Sequence, residues 1–511
     1  MNDLTSNAAL AEKYDAVAYA SQSHAVSHPD HLAVVATLFG LDPPSAAACR
    51  VLELGCGDGA NLLPMAEGLP NSDFVGCDLS PRALAAARQT AAELSISNVS
   101  LVEGDLSQLP EALGEFDYII AHGVYSWVPA PVRDAMFALA RRLKPNGVMF
   151  VSYNVYPGCH VRQAVWEALH FHSDRADSAK ARLDRARELA AALAQPGVTQ
   201  NITDALLRAE FKRVARIPDS ALYHDDLAVP NDPVYFHEFA SHAARHGLTF
   251  VSESQLPMTG ATGVAPRMQR LLAGLDRLDR LDRLDRLERE QYLDFAYLRR
   301  FRQSLLCRAE SATQFKLAPE RLASMQIGAS SSLVRAASKG KPLLDAARPW
   351  MPNEPEAQVL RALFEWLAAI APQTVSVPEI KSHLLWPPAN AHGFTPRSLE
   401  AIVADACLNG ALLLQLHSPA LVSLAGERPR AGAFSRWQAA RGVRVTNLRH
   451  ETMQVHDPAA LRLLALLDGS RARTAIAAAM ADALPAVDAH ARPRRIEEYL
   501  QSFGKLALLL A

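Results

Sequence analysis

Between residues 50 and 155, short and largely apolar runs alternate with amphipathic stretches. The runs cover residues 51–54, 73–77, 99–102, 116–121 and 148–153, and turn-forming or acidic residues flank each of them. They are strand-length, not helix-length. Residues 61–68, the alanine-rich 81–94 and 131–143 carry helical patterning between them. Apolar strands separated by helices predict an α/β, doubly wound, mainly parallel sheet covered on both faces. A ligand then sits at the carboxyl ends of the strands, where the strand order reverses.

Flanking segments read differently. Residues 1–44 form a helical preface with Tyr14, Tyr19, His24, His28 and His31. The three histidines are spaced four and three apart, which suits one helix face. Pro29 interrupts them, however, and no carboxylate or cysteine pattern completes a ligand set, so no metal is expected. Residues 160–215 are helical and charged, and a helix over 234–246 stops at Gly247 before a strand over 248–251. Residues 275–289 repeat Leu-Asp-Arg four times, then Leu-Glu-Arg. A three-residue period slips by roughly 60° per repeat on an α-helix, so the leucines spiral instead of forming a stripe. Acid-first pairs four apart fit a solvated helix lengthened by tandem expansion.

Serine, glycine, lysine and proline clusters over 326–356 read as a linker. Two similar blocks follow. The first predicts helices over 357–370, 377–385 and 396–409, then a strand over 411–416. The second predicts helices over 458–467, 473–483 and 495–503, then a strand over 506–511. Three helices and a short strand suggest winged helices. Neither block has a dense basic recognition helix, which favours protein contacts over DNA. The resulting division is 1–44 N-terminal cap over the ligand site, 45–175 sheet domain, 176–310 helical and regulatory domain, 311–356 linker, and winged-helix domains over 357–425 and 426–511.

Composition narrows the function classes. The chain has 511 residues, 49% hydrophobic and 21% charged, with net charge −2. Several cores can be buried, and no bulk positive field exists to hold nucleic acid. None of the six cysteines forms a CxxC pair, so reduced thiols in a cytoplasmic setting are expected. The start lacks a signal-peptide pattern, and no apolar stretch approaches the about 20 residues of a membrane span, so no membrane insertion is expected.

The chemistry concentrates after the first predicted strand, at Glu53-Leu54-Gly55-Cys56-Gly57-Asp58-Gly59 with Asn61 following. Gly55 allows a tight turn, and Gly57 and Gly59 let backbone approach a ligand. A glycine loop alone also suits a dinucleotide. Asp78, ending the second strand, suits ribose hydroxyls in either case. Asp105 after the third strand suits an adenine amino group, with Leu79 and Leu106 sandwiching the ring. Together with the turn Lys144-Pro145-Asn146-Gly147 before a strand, this points to S-adenosylmethionine, with Glu53 orienting the loop or the cofactor ammonium.

These residues resemble the class I methyltransferases over about 45–155, which implies a seven-stranded Rossmann-like sheet closed by an antiparallel hairpin. The strand at 248–251 would supply part of that closure, making most of 160–235 an insertion over the site. Tyr14-Asp15 with Tyr19 and His24, the segment from His122-Gly123 to Pro129, and Ser152-Tyr153-Asn154-Val155-Tyr156-Pro157-Gly158 extend the resemblance. They are similar to a bacterial subfamily with a methyltransferase regulatory domain. Asn231–Phe236, Glu290–Phe295 with Phe301-Arg302-Gln303, and Asn447-Leu448-Arg449-His450-Glu451 are similar to its regulatory domain and C-terminal winged helix. Members include rickettsial protein-lysine methyltransferases.

The resemblance implies a cofactor site of Tyr14, Tyr19, Glu53, Gly55, Cys56, Gly57, Gly59, Asn61, Asp78, Leu79, Asp105, Leu106, His122 and Gly123. Tyr125 and Trp127, with Tyr153, Asn154 and Tyr156, are expected to line the acceptor mouth. A lysine amine, about 99.9% protonated at neutral pH, must lose its proton, and a desolvating aromatic pocket favours that. His122 or His160 is a candidate proton acceptor. The expected partner is a protein substrate, with a homodimer possible. The alternatives are a small-molecule methyltransferase and a cofactor-binding regulator without catalysis.

Overall fold

The computed structural model describes residues 16–17, 19, 21–196, 201–259, 264–275, 283–311, 317–347, 354–386, 397–485, 487–488 and 490–511. Tyr14 and the repeat residues 276–282 lie outside the described residues.

Helix α1 (Pro29–Leu38) precedes the sheet. The Asp30 amide donates to His28 Nδ1 at 3.2 Å, and Pro29 occupies the first turn, where no amide partner is needed. The sheet domain then runs β1 (Arg50–Leu54), α2 (Leu62–Gly68), β2 (Asp73–Asp78), α3 (Pro81–Glu93), β3 (Val99–Glu103), β4 (Phe116–Ala121), α4 (Ala130–Ala138) and β5 (Leu143–Asn154). Ser80 caps α3 by accepting from the Ala83 amide at 3.0 Å. Downstream come α5 (Cys159–Ser173), α6 (Ala179–Leu193), α7 (Ile202–Val214), α8 (Phe236–Arg245), β6 (Leu248–Glu253), α9 (Pro266–Leu275), α10 (Arg283–Tyr297) and β7 (Phe301–Arg308).

The seven strands lie in the order β3-β2-β1-β4-β5-β7-β6. The first five are parallel, and β7 runs antiparallel to both β5 and β6. The order reverses between β1 and β4, which opens a ligand crevice at their carboxyl ends. The 248–251 strand does help close the sheet, but at its edge. The neighbour of β5 is β7, which carries Arg302 and so lacks an uninterrupted apolar run.

Two cores flank the sheet. On one face Val51, Phe74, Tyr118 and Phe150 pack with α1, α2 and residues of the 322–414 segment in a single cluster. On the other, Leu52, Ile119, Val151 and Tyr153 pack against Met136 and Phe137 of α4 and Phe236 and Phe239 of α8. Each such large side chain stabilises by about 1.5–3 kcal/mol when fully buried. Helices α5, α6 and α7 share a separate small core.

The segment expected to be a linker is structural. Strand β8 (Gln326–Ala329) is followed by α11 (Ser331–Ser338), α12 (Glu354–Ile370), β9 (Thr374–Ser376), α13 (Val377–His383), α14 (Leu399–Leu408) and β10 (Leu412–Gln415). β8 is the central strand of an antiparallel sheet, β10-β8-β9. Its small residues read as a turn for a packing reason. A Cβ on Gly328 would stand 2.9 Å from Thr374 Cγ2, so close strand approach demands glycine there. The second block contains β11 (Arg430–Ala431), α15 (Ala433–Ala439), β12 (Arg444–Thr446), β13 (Thr452–Gln454), α16 (Pro458–Leu466), α17 (Arg473–Ala479), α18 (Arg492–Lys505) and β14 (Leu509–Leu510) around its own core. Among the described residues, no helix is long and apolar enough to cross a membrane.

Candidate active site

After β1 the chain turns through Gly55, Gly57 and Gly59, with φ of +71°, +55° and +77°, a region that disfavours side chains. A Cβ on Gly59 would stand 2.9 Å from Leu63 Cγ, whereas one on Gly57 would meet only Ser21 Oγ, at 4.0 Å. Gly59 therefore serves packing, and Gly57 leaves the loop surface open. The Gly55 and Cys56 amides donate to the Cys77 carbonyl at 2.8 and 3.1 Å. The Gly57 amide donates to Asp78 Oδ2 at 2.8 Å and the Ser80 amide to Oδ1 at 2.9 Å. One carboxylate thus ties together the loops after β1 and β2.

Glu53 lies beneath this loop, 3% exposed. Asn61 Nδ2 donates to its Oε1 at 2.6 Å, while its Oε2 is buried and has no hydrogen-bond partner among the described residues. Burial pushes the carboxyl up to about 8; Asn61 opposes this and the charges of Asp78 and Asp58 add to it. Asn61 Oδ1 accepts from the His24 amide at 2.8 Å and from His450 Nε2 at 2.8 Å. His450 belongs to the C-terminal block and sits at φ +62°. The neighbouring Arg449 anchors its turn to the carbonyls of Ala329 and Pro372 at 3.2 and 2.5 Å. The distant domain therefore completes the floor of the glycine loop. His450→Ala should weaken cofactor binding by about 2- to 10-fold, the net worth of one hydrogen bond. Calorimetry with S-adenosylhomocysteine measures this, and unchanged affinity in a folded variant contradicts it.

On the β4 side, the Gly123 amide donates to Ser152 Oγ at 2.8 Å. His122 lies with its ring centroid 3.8 Å from that of His24 and 6.3 Å from that of Phe301. Its Nδ1 is buried and unpartnered among the described residues. Burial lowers the His122 pKa to about 3, with repulsion from His24 adding, so the ring is neutral and weakly basic. Asp105 Oδ1 accepts from the Ser107 amide and hydroxyl at 2.8 and 2.7 Å. This turn buries Leu106, while Leu79 is half-buried. Cys56 is buried, and all six thiols are free. Tyr19 is exposed, its ring edge-on to His224.

The expected acceptor residues separate. Tyr125 and Tyr153, 2% and 1% exposed, do not line an open mouth. Tyr153 stacks on Phe239 at 3.7 Å and shares a hydrogen bond with Ser304. Tyr125 packs edge-on to Phe239, its hydroxyl 3.0 Å from His242 Nδ1. Strand alternation explains this for β5: Ser152 faces the loop, so Tyr153 faces α8. Asn154 is also buried; its amide donates to Ser126 Oγ and its Nδ2 to Asn231 Oδ1, at 2.8 and 2.9 Å. Trp127 is half-buried on the single turn Tyr125–Trp127. Tyr156 stays at the rim, stacked on His160 at 4.1 Å and 5.4 Å from Tyr235. His28 Nδ1 accepts locally from the Asp30 amide, and His31 Nε2 lies 2.8 Å from the distant Ser254 carbonyl. Phe301, named from sequence only as part of the regulatory-domain resemblance, is 42% exposed beside His122. Its pairing opposite Asn154 across β5 and β7 was the tertiary fact needed.

Known proteins resolve the class. Residues 51–147 match the methyltransferase domain family, 218–308 the predicted methyltransferase regulatory domain, and 427–494 the PKMT C-terminal winged helix domain. An uncharacterized protein of Rickettsia prowazekii is 33% identical over 297 residues, 58% of this chain and 52% of that protein. The chain thus spans about half of that relative's length. A second uncharacterized R. prowazekii protein is 35% identical over 234 residues, 45% of this chain and 94% of that protein. The structure of PKMT2 from Rickettsia typhi superposes with TM-score 0.79 over 96% of this chain and 100% of that one, at 24% identity. It has also been determined in complex with AdoHcy.

The fold and the glycine-loop site define the class of S-adenosylmethionine-dependent methyltransferases. Within it, the chain belongs to the family that joins a methyltransferase domain to a methyltransferase regulatory domain and a PKMT-type C-terminal winged helix.

Proposed function

We propose that the protein N-methylates lysine side chains of a protein substrate. The observation that carries the acceptor class is an open aromatic rim at the carboxyl edge of the sheet. Half-exposed Phe301 lies against His122, and Tyr156 is stacked on His160 beside Tyr235. Such a rim desolvates an amine and favours its neutral, nucleophilic form. The structural likeness to PKMT2 supports the same reading.

The residues present fit S-adenosylmethionine. Gly57 leaves backbone exposed, Glu53 Oε2 offers an unpartnered acceptor for an ammonium, and Asp78 and Asp105 offer carboxylates for ribose and adenine. Gly55, Cys56, Gly59, Asn61, Leu79, Leu106, His122 and Gly123 shape the same cradle, and Tyr19 belongs to the cap. Bound there, the cofactor supplies an electrophilic methyl group on a sulfonium sulfur. The chain's own task is to align the acceptor and exclude water, and proximity provides much of the rate. With its pKa lowered by burial, His122 is a weak base and acts as a neutral hydrogen-bonding group.

Glu53 makes cofactor affinity pH-dependent. Below about 8 its folded-state carboxyl keeps a proton. An ammonium beside Oε2 favours the ionised form, so binding releases that proton and tightens as pH rises towards 8. Between about pH 6 and 8 the affinity for S-adenosylhomocysteine should rise by up to about tenfold per unit. In Glu53→Gln the slope should vanish, and a flat wild-type profile over that window contradicts the assignment.

The acceptor is tested by incubating the full chain with methyl-tritiated S-adenosylmethionine and a bacterial lysate. Label should enter protein bands, appear as methyl-lysine after acid hydrolysis, and disappear with Asp78→Ala. Label confined to low-mass material, or to other amino acids, overturns the lysine assignment.

A further inference from the structure

A cluster of metal-ligating groups lies away from the glycine loop, where α4 of the sheet domain meets α8 of the regulatory segment. His242 projects from α8, His246 follows four residues on at the cap of that helix, and Asp134 reaches them from α4. His242 Nε2 is 2.8 Å from Asp134 Oδ1, and His246 Nε2 is 3.4 Å from the same oxygen. All three donor atoms lie within 4.8 Å of one another. Tetrahedral zinc with bonds of about 2.0–2.1 Å needs donor atoms about 3.4 Å apart, so small side-chain shifts bring the set to coordination distance.

A second observation points the same way. His242 is 8% exposed, and its other ring nitrogen, Nδ1, lies 3.0 Å from the Tyr125 hydroxyl. Metal-ligating histidines are typically held this way, by a hydrogen bond at the nitrogen away from the metal. Without a metal, Nε2–H donates to Asp134 and Nδ1 accepts from the Tyr125 hydroxyl. With Nε2 on a cation, the ring proton moves to Nδ1 and donates to the Tyr125 oxygen. Phe137 closes the site from below, its ring centroid 4.7 Å from His242 and 6.0 Å from His246.

We propose that Asp134, His242 and His246 bind one divalent cation of the zinc class, which staples the regulatory helix α8 to α4. Three protein ligands leave a fourth position to water. Because α8 also carries Phe239, stacked on Tyr153 of β5, the staple fixes the regulatory segment on the sheet. The inference is independent of which acceptor is methylated.

The test uses the full chain, stripped with a chelator and titrated with zinc chloride by calorimetry, followed by cobalt chloride with visible absorption. Wild type should bind one equivalent, give the absorption bands of tetrahedral cobalt, and melt at a higher temperature with zinc. His246→Ala and Asp134→Asn, at the partly open rim of the site, should bind at least about tenfold more weakly and lose the thermal shift. No binding by wild type overturns the proposal. So does equal binding by folded variants, which places the metal elsewhere.

Discussion

Asp78→Ala should lower the affinity for S-adenosylhomocysteine by about 100-fold or more while leaving the chain folded. The carboxylate accepts from the Gly57 and Ser80 amides at 2.8 and 2.9 Å. Each hydrogen bond to a charged group contributes about 1.5–3 kcal/mol. Losing both frees a loop held at positive φ, and removes the carboxylate proposed to hold the ribose. Asp78→Asn retains one acceptor oxygen and should fall between the two. Calorimetry measures the affinities, and thermal denaturation checks the fold. An Asp78→Ala affinity within about threefold of wild type would refute the assignment.

The largest stability effect is expected at Arg302. This arginine on β7 is 1% exposed and reaches Glu253 of β6 at 2.6 Å, and Asp294 and Glu290 of α10 at 2.9 and 3.2 Å. Its guanidinium also covers the Phe236 ring at 4.0 Å. Arg302→Met leaves these buried carboxylates only partly compensated, by Arg299 and by Arg289 beside Glu290, and should destabilise the sheet domain by about 3–5 kcal/mol. Burial works against the Glu253 carboxylate, but Arg302, Arg299 and the hydrogen bonds from Gln303 and Ser304 together outweigh it and hold its pKa below the usual 4.5. Its stabilising contribution is therefore complete above about pH 4.5 and is lost as pH falls through the lower folded value. Chemical denaturation at neutral and acidic pH tests both statements. A loss under about 1 kcal/mol at neutral pH would show that the network is not structural.

The tight turn after β1 and the carboxylate of Asp78 that ties it were legible because their signals are local. A strand, a turn and a carboxylate follow one another within a few residues, and backbone geometry links them directly. The helices predicted over 357–503 were legible for the same reason, through apolar periodicity, whereas α15 and the short strands β9, β12 and β13 were not. Strand β7 was not, because Arg302 interrupts its apolar run and is compensated only by residues from β6 and α10. Strand β8 was missed because Gly328 looks like a turn residue until Thr374 packs against it.

At the site, the aromatic residues after β4 and β5 suggested a mouth, but periodicity does not say which side of the sheet a side chain faces. Register placed Ser152 toward the loop and Tyr153 toward Phe239. The bond from His450 to Asn61 spans 389 residues, and Phe301 reaches His122 only because β7 lies beside β5. The amino-acid sequence alone determined the cofactor loop, the class of sheet and the order of the segments, since these depend on neighbours along the chain. Tertiary structure alone decided which aromatics are buried and which stay exposed, how the C-terminal domain completes the loop's floor, and that Asp134, His242 and His246 meet. Those contacts depend on how separately formed elements pack.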